Sequence, residues 1–128
     1  MGATKLSSPS SWFEIPVNNF KRAVSFYSTV LNQNLETDNS SGSPCACFTT
    51  NTPGVKGNIV QSTTNTPSNN GVRIYFSTNE NIEIVLKRVK NAGGRIITNN
   101  TPSDDNSCYT ATFTDTEGNT IGICSNNS

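Results

Sequence analysis

A chain of 128 residues is one domain, or two half-size modules fused, and it can bury a core without disulfides or a structural metal. Nine Lys and Arg balance nine Asp and Glu, so no basic surplus draws the chain to nucleic acid, and no apolar run approaches the roughly 18 residues of a membrane span. There is no histidine, which excludes His-based triads, imidazole proton shuttles and imidazole metal ligands.

Residues 1–10 lack periodicity and carry Ser and Pro, so they read as a flexible arm. No basic segment followed by an apolar one opens the chain, so the expectation is a cytoplasmic protein. Residues 11–17 alternate: Phe13, Ile15 and Val17 on one face, Trp12, Glu14 and Pro16 on the other, a strand with one apolar side. Asn18-Asn19 turn the chain and cap a helix. Its stripe is Phe20, Ala23, Val24, Tyr27, Val30 and Leu31, and residues 32–34 end it. Short strands are expected at 35–38, 45–50 and 58–62, separated by Ser/Gly/Pro loops at 39–44 and 51–57. A longer polar loop runs over 63–71.

The pattern then repeats. Val72, Ile74 and Phe76 alternate with Arg73, Tyr75 and Ser77 in a strand, and Ile82, Val85, Leu86 and Val89 stripe a second helix that stops at Gly93-Gly94. Strands follow at 95–98, 107–114 and 119–125, with a hairpin signal at 115–119. A shift of about 62 residues lays Phe20, Ala23, Val24 and Tyr27 on Ile82, Val85, Leu86 and Val89. The chain therefore reads as two βαβββ modules, about 11–62 and 71–125, joined by a linker at 63–70. Side by side they form an α+β domain, a curved mixed sheet around a cavity with the helices packed outside.

The polarity comes from neutral groups: 19 Asn, 16 Ser and 17 Thr account for 52 of the 128 residues. Because these interleave with periodic apolar residues, the reading is a folded domain with polar loops rather than a disordered chain. The four cysteines are Cys45, Cys47, Cys108 and Cys124. Cys45-x-Cys47 is not the C-x-x-C of a redox or zinc motif, and the simplest reading is four reduced thiols. Asn39-Ser40-Ser41 and Asn99-Asn100-Thr101 match the glycosylation pattern, as an Asn-rich chain does by chance.

Three segments carry a family resemblance. The first is Val17-Asn18-Asn19-Phe20-Lys21-Arg22-Ala23-Val24-Ser25-Phe26-Tyr27, the second is Ala92-Gly93-Gly94 closing the second helix, and the third is Asp115-Thr116-Glu117-Gly118-Asn119-Thr120-Ile121 in the last hairpin. Over about residues 11–125 the chain resembles the glyoxalase/bleomycin-resistance/dioxygenase superfamily, the vicinal oxygen chelate proteins. The resemblance implies the paired βαβββ fold, a homodimer, and by family default one divalent metal held by inward-facing His, Glu or Gln. The family's ligand positions fall on Trp12, on Arg73 or Ile74, on Gly122, and near residues 58–61. None of the three placed positions supplies a metal ligand, so no cofactor is expected. Glu14, Gln61 and Cys124 are the residues that could replace them.

Alternation puts Trp12, Glu14, Arg73, Tyr75, Ser77, Thr120, Gly122 and Cys124 on the concave side, and Phe13, Ile15, Val17, Val72, Ile74, Phe76, Ile121 and Ile123 under the helices. The candidate ligand-binding residues are Trp12, Glu14, Gln61, Arg73, Tyr75, Tyr109, Gly122 and Cys124. Glu14, a partly desolvated carboxylate, is the candidate base, or else it pairs with Arg73. Arg73 would hold a carboxylate or phosphate. Trp12, Tyr75 and Tyr109 would make an aromatic wall, Gly122 would open the cavity floor, and Cys124 is a candidate thiol nucleophile. The leading functional expectation is a small-molecule binding protein of this family without the usual metal. Alternatives are a metal-dependent lyase, isomerase or dioxygenase, lactoylglutathione-lyase-like, a metal-free drug-sequestering protein, and a stabilising domain with no ligand. Whether the chain is an enzyme stays open, and neither nucleic acid nor membrane is an expected partner.

Overall fold

The structure, a computed structural model, describes residues 3–8, 10–40, 42–50 and 56–127. In chain order the elements are β1 (Trp12–Val17), α1 (Phe20–Val30), β2 (Glu36–Asp38), β3 (Cys45–Cys47), β4 (Lys56–Gln61), β5 (Ile74–Thr78), α2 (Ile82–Asn91), β6 (Arg95–Pro102), β7 (Tyr109–Thr114) and β8 (Thr120–Ser125). The βαβββ order thus occurs twice. Lys56 and Gly57, expected in a loop, belong to β4. Residues 51–55 of that loop, with residues 1, 2, 9, 41 and 128, lie outside the described residues.

Each module forms one four-stranded mixed sheet, ordered β1-β4-β3-β2 and β5-β8-β7-β6. The first and last strands of each module pair in parallel, and the other pairs are antiparallel. The curved surface is therefore assembled from two sheets, with β1 and β5 at the edges of their own sheets.

The helices form where the stripes require. Asn19 Oδ1 accepts from Arg22 N–H at 3.0 Å and caps α1; Asn81 Oδ1 accepts from Glu83 N–H at 2.8 Å and caps α2. Ala23, Phe26, Tyr27 and Val30 of α1 are buried, as are Ile82, Val85, Leu86 and Val89 of α2. The end of α2 explains the paired glycines. Gly93 takes a positive φ of 100°, and a Cβ on Gly94 would sit 2.8 Å from the Phe26 ring and the Thr114 carbonyl.

One core joins both modules. Ile15, Val17 and Ile59 from the first sheet are buried together with Ala111, Phe113, Ile121 and Ile123 from the second. Between the modules, Phe76 of β5 packs edge-on against Phe13 and Phe48, with ring centroids 5.8 and 5.0 Å apart. Tyr27 closes the cluster against Phe48 at 5.6 Å. Val72, expected under the helices, is instead 95% exposed, because it precedes β5 on the linker.

Candidate functional site

The family-like motifs meet at a polar latch between the modules. Asp115 Oδ1 accepts from the Glu117 and Asn119 N–H groups at 2.8 and 2.9 Å, which shapes the β7–β8 turn. Its Oδ2 accepts from the Tyr27 hydroxyl at 2.5 Å and from Asn119 Nδ2 at 3.0 Å. Glu117 Oε1 accepts from the Asn18 and Asn19 N–H groups at 2.9 and 2.8 Å, and Arg22 Nε donates to Oε2 at 2.7 Å. Asn119 Nδ2 also donates to the Pro16 carbonyl at 2.8 Å. The turn of the second module thus satisfies the N-terminus of α1 in the first. Burial would raise the Glu117 carboxyl, but Arg22 and the Asn19 and Asn18 amides outweigh it and hold the group below the usual glutamate range. Burial pushes the Tyr27 phenol well above its ordinary value, and the Asp115 carboxylate adds to the effect. These residues carry the fold. The sequence marked 115–119 as a hairpin and as a family motif but did not show the contacts it makes with α1; three polar residues beside a tight turn were the available signal.

A cleft of about 820 Å³ opens between β1 and β5. Trp12, Glu14 and Pro16 line it from β1, Ile74 and Tyr75 from β5, and Asn65, Thr66, Ser68, Asn70 and Val72 from the linker. The linker is pinned over it: Ser68 N–H donates to Asn119 Oδ1 at 3.1 Å and the Thr120 hydroxyl to the Asn69 carbonyl at 3.3 Å. Trp12 is 61% exposed and Tyr75 is 46% exposed. Tyr75 faces Gly122 across the β5–β8 ladder, and a Cβ on Gly122 would collide with the Tyr75 ring. Gly122 therefore seats an aromatic ring rather than opening a cavity floor.

The cleft brings together Trp12, Glu14 and Tyr75, with Gly122 beneath Tyr75. The remaining candidates lie elsewhere. Arg73 is exposed just ahead of β5 and does not line the cleft; Glu14 is also exposed and has no ion pair among the described residues. The Glu14–Arg73 pair is not formed among the described residues, and Glu14 is exposed rather than desolvated. Gln61 shares its strand face with Ile59 and accepts from the Phe20 N–H at 3.0 Å, so it helps cap α1. Tyr109 shares the face of Ala111 and Phe113 and packs against the core, so it is not part of the aromatic wall. Cys124 donates its S–H to Cys108 with the sulfurs 3.2 Å apart; that bond, then burial, raises its pKa. A thiol holding its proton more firmly is a poor initiating nucleophile. The linker wall was missed, since loop composition does not say where a loop lies.

The divalent ion common in the family can be tested on these residues. Trp12 stands opposite Lys56 on β4, and Glu14 opposite Asn58. The second module presents Tyr75 over Gly122. An indole, an ammonium, a phenol and a glycine make no hard-cation site; across the first sheet Asn58, Cys47 and Glu36 continue the row of Glu14, with Cys45 and Asp38 in the next row of the same face. Among the described residues no three His, Cys, Asp or Glu side chains cluster to hold a metal. The residues present do not fit the ion.

The fold and the latch define a glyoxalase-type α+β protein. Residues 10–123 match the Glyoxalase/Bleomycin resistance protein/Dioxygenase superfamily, and the chain belongs to that family. It is similar to a glyoxalase/bleomycin resistance protein from Albidiferax ferrireducens T118, at 17% identity and a TM-score of 0.75, over 92% of this chain and 98% of that one. It is also similar to the hypothetical protein SA1046 from S. aureus, at 20% identity and a TM-score of 0.64, over 93% and 98% of the two chains. A glyoxalase-related enzyme from Fulvimarina pelagi aligns at 11% identity and a TM-score of 0.70, over 93% and 88%. Identities this low speak for the fold alone. No match was found among curated proteins. No helix among the described residues is long and apolar enough to cross a membrane.

Proposed function

We propose that the protein binds a small organic molecule in the cleft between β1 and β5, through Trp12 and Tyr75, without the divalent ion of its metal-dependent relatives. The observation that carries this reading is the pair of large aromatic side chains left at 61% and 46% exposure on one cleft of about 820 Å³. Leaving such surface in water is unfavourable, and a planar or apolar ligand would cover it. The linker adds neutral hydrogen-bonding groups from Asn65, Ser68 and Asn70, and Glu14 adds one negative charge. That lining suits orientation of a ligand more than turnover, since among the described residues Glu14 and Tyr75 are its only titratable side chains. The same reading includes a homodimer in the cytoplasm.

Trp12 is the only tryptophan, so its fluorescence reports this cleft directly. Titration with a library of aromatic and heteroaromatic fragments should give at least one saturable change in emission. Tyr75→Ala should weaken that binding about 3- to 10-fold, the equivalent of one lost aromatic contact. A library that leaves the emission unchanged, or a Kd unmoved by Tyr75→Ala, would refute the proposal.

A further inference from the structure

Cys124 on β8 and Cys108, one residue ahead of β7, stand with their sulfurs 3.2 Å apart. The strand register explains the approach. Thr110 faces Cys124 and Tyr109 faces Ser125 across the β7–β8 ladder, so Cys108 shares the face of Cys124 one diagonal step away. Diagonal neighbours touch only when both side chains turn toward each other, and here both do. The preceding turn holds Cys108 in place: its N–H donates to Ser103 Oγ at 3.2 Å and its carbonyl accepts from the Ser103 N–H at 2.8 Å. Both thiols are partly exposed, so a small reagent can reach them. Neither lines the aromatic cleft, and the proposed function makes no use of them.

We propose that Cys108 and Cys124 are a reversible redox pair that closes to a disulfide by exchange with a low-molecular-weight disulfide. The bond is about 2.0 Å long, so the sulfurs need to close by only about an ångström, within reach of side-chain rotation. Cys108 is the attacking sulfur. The Cys124 S–H points at it, and such a hydrogen bond strengthens as its acceptor becomes a thiolate. The Cys108 thiolate attacks the reagent disulfide, forms a mixed disulfide and releases one reagent thiolate, which takes up the proton Cys108 has lost. Cys124 then gives its proton to solvent and attacks the Cys108 sulfur. The second reagent thiolate leaves and takes up that proton. Two protein thiols are oxidised to one disulfide, and one reagent disulfide is reduced to two thiols.

The other two cysteines also meet, through a hydrogen bond between their side chains, but on backbone less suited to a bridge. Cys45 and Cys47 stand two residues apart along β3, where extended backbone separates their Cα atoms by about 6.6 Å, near the upper limit for a bridge. The Cys108–Cys124 bridge would tie the turn at 103–107 to β8. On that strand Cys124 faces Ser77 of β5, two residues from the Gly122 that seats Tyr75.

The test is to incubate the full chain with glutathione disulfide, count free thiols, and map the product after cleavage at glutamate. Glu117 lies between the two cysteines, so cleavage there puts them on separate peptides, 84–117 and 118–128. The expected product has lost two of its four thiols, retains no glutathione, and links those two peptides until dithiothreitol is added. A variant carrying both Cys45→Ser and Cys47→Ser should behave the same way. Cys124→Ser should stop with one glutathione on Cys108. Four thiols that stay free, glutathione retained on the unaltered chain without the bridge, or a Cys45–Cys47 bridge in its place would each overturn the proposal.

Discussion

Glu117 shares the start of α1 with Asn19 and Gln61, which take the Arg22 and Phe20 amides. Its carboxylate accepts from two backbone N–H groups and from a guanidinium, while its own side chain is fully buried. Replacing it with Ala leaves those amides and the Arg22 guanidinium without their acceptor. The expected loss is about 2–3 kcal/mol in urea denaturation. The same residue sets an acid limb. Its folded pKa lies below the unfolded value, so its contribution is fully present above the unfolded pKa. That contribution is lost as the pH falls through the unfolded value toward the folded one. Glu117→Gln should flatten the fall of Tm below about pH 4.5, and a parallel fall in both proteins would assign the limb to other carboxylates.

At the scale of elements, the parallel pair β1–β4 depends on a missing side chain. Phe13 faces Gly57 across this ladder, and a Cβ on Gly57 would collide with the Phe13 ring. That ring is already held by Phe48 and Phe76, at 6.1 and 5.8 Å, so it has little room to yield. Gly57→Ala should therefore destabilise the protein by about 1–3 kcal/mol through overpacking, measured by urea denaturation; an unchanged midpoint would mean that the ring moves freely. The elements themselves were legible in the sequence. The stripe from Phe20 to Val30 and the alternation of β1 are local periodicities, and the helices and most of the strands follow them. What could not be read there was pairing. Gly57 reads as part of a Pro/Gly loop until β4 is laid beside β1. Tyr109 looks like Tyr75 until the β7–β8 register shows it on the core side, and Gln61 becomes a helix cap only where β4 ends beside α1.

For the whole molecule, duplication explains the placement of both the latch and the cleft. Two modules that each bury one sheet face must meet, and the Asp115–Glu117–Asn119 turn of one locks on the first helix of the other. Among the described residues no ladder of hydrogen bonds joins the two sheets, and the space between their edge strands β1 and β5 is the cleft. Family motifs in the sequence located the latch residues, which hold the fold. The cleft residues Trp12, Glu14 and Tyr75 were legible by alternation, whereas its linker wall depends on long-range contacts that no local pattern encodes. The central claim is an organic ligand held without a divalent ion. Native mass spectrometry of the full chain, after exposure to Ni²⁺ or Zn²⁺ and to the best fragment from the fluorescence titration, tests it most directly. The expected spectrum shows the fragment bound to each subunit, with no retained metal. One tightly held ion per subunit, or a fragment that binds only when the ion is present, would contradict it.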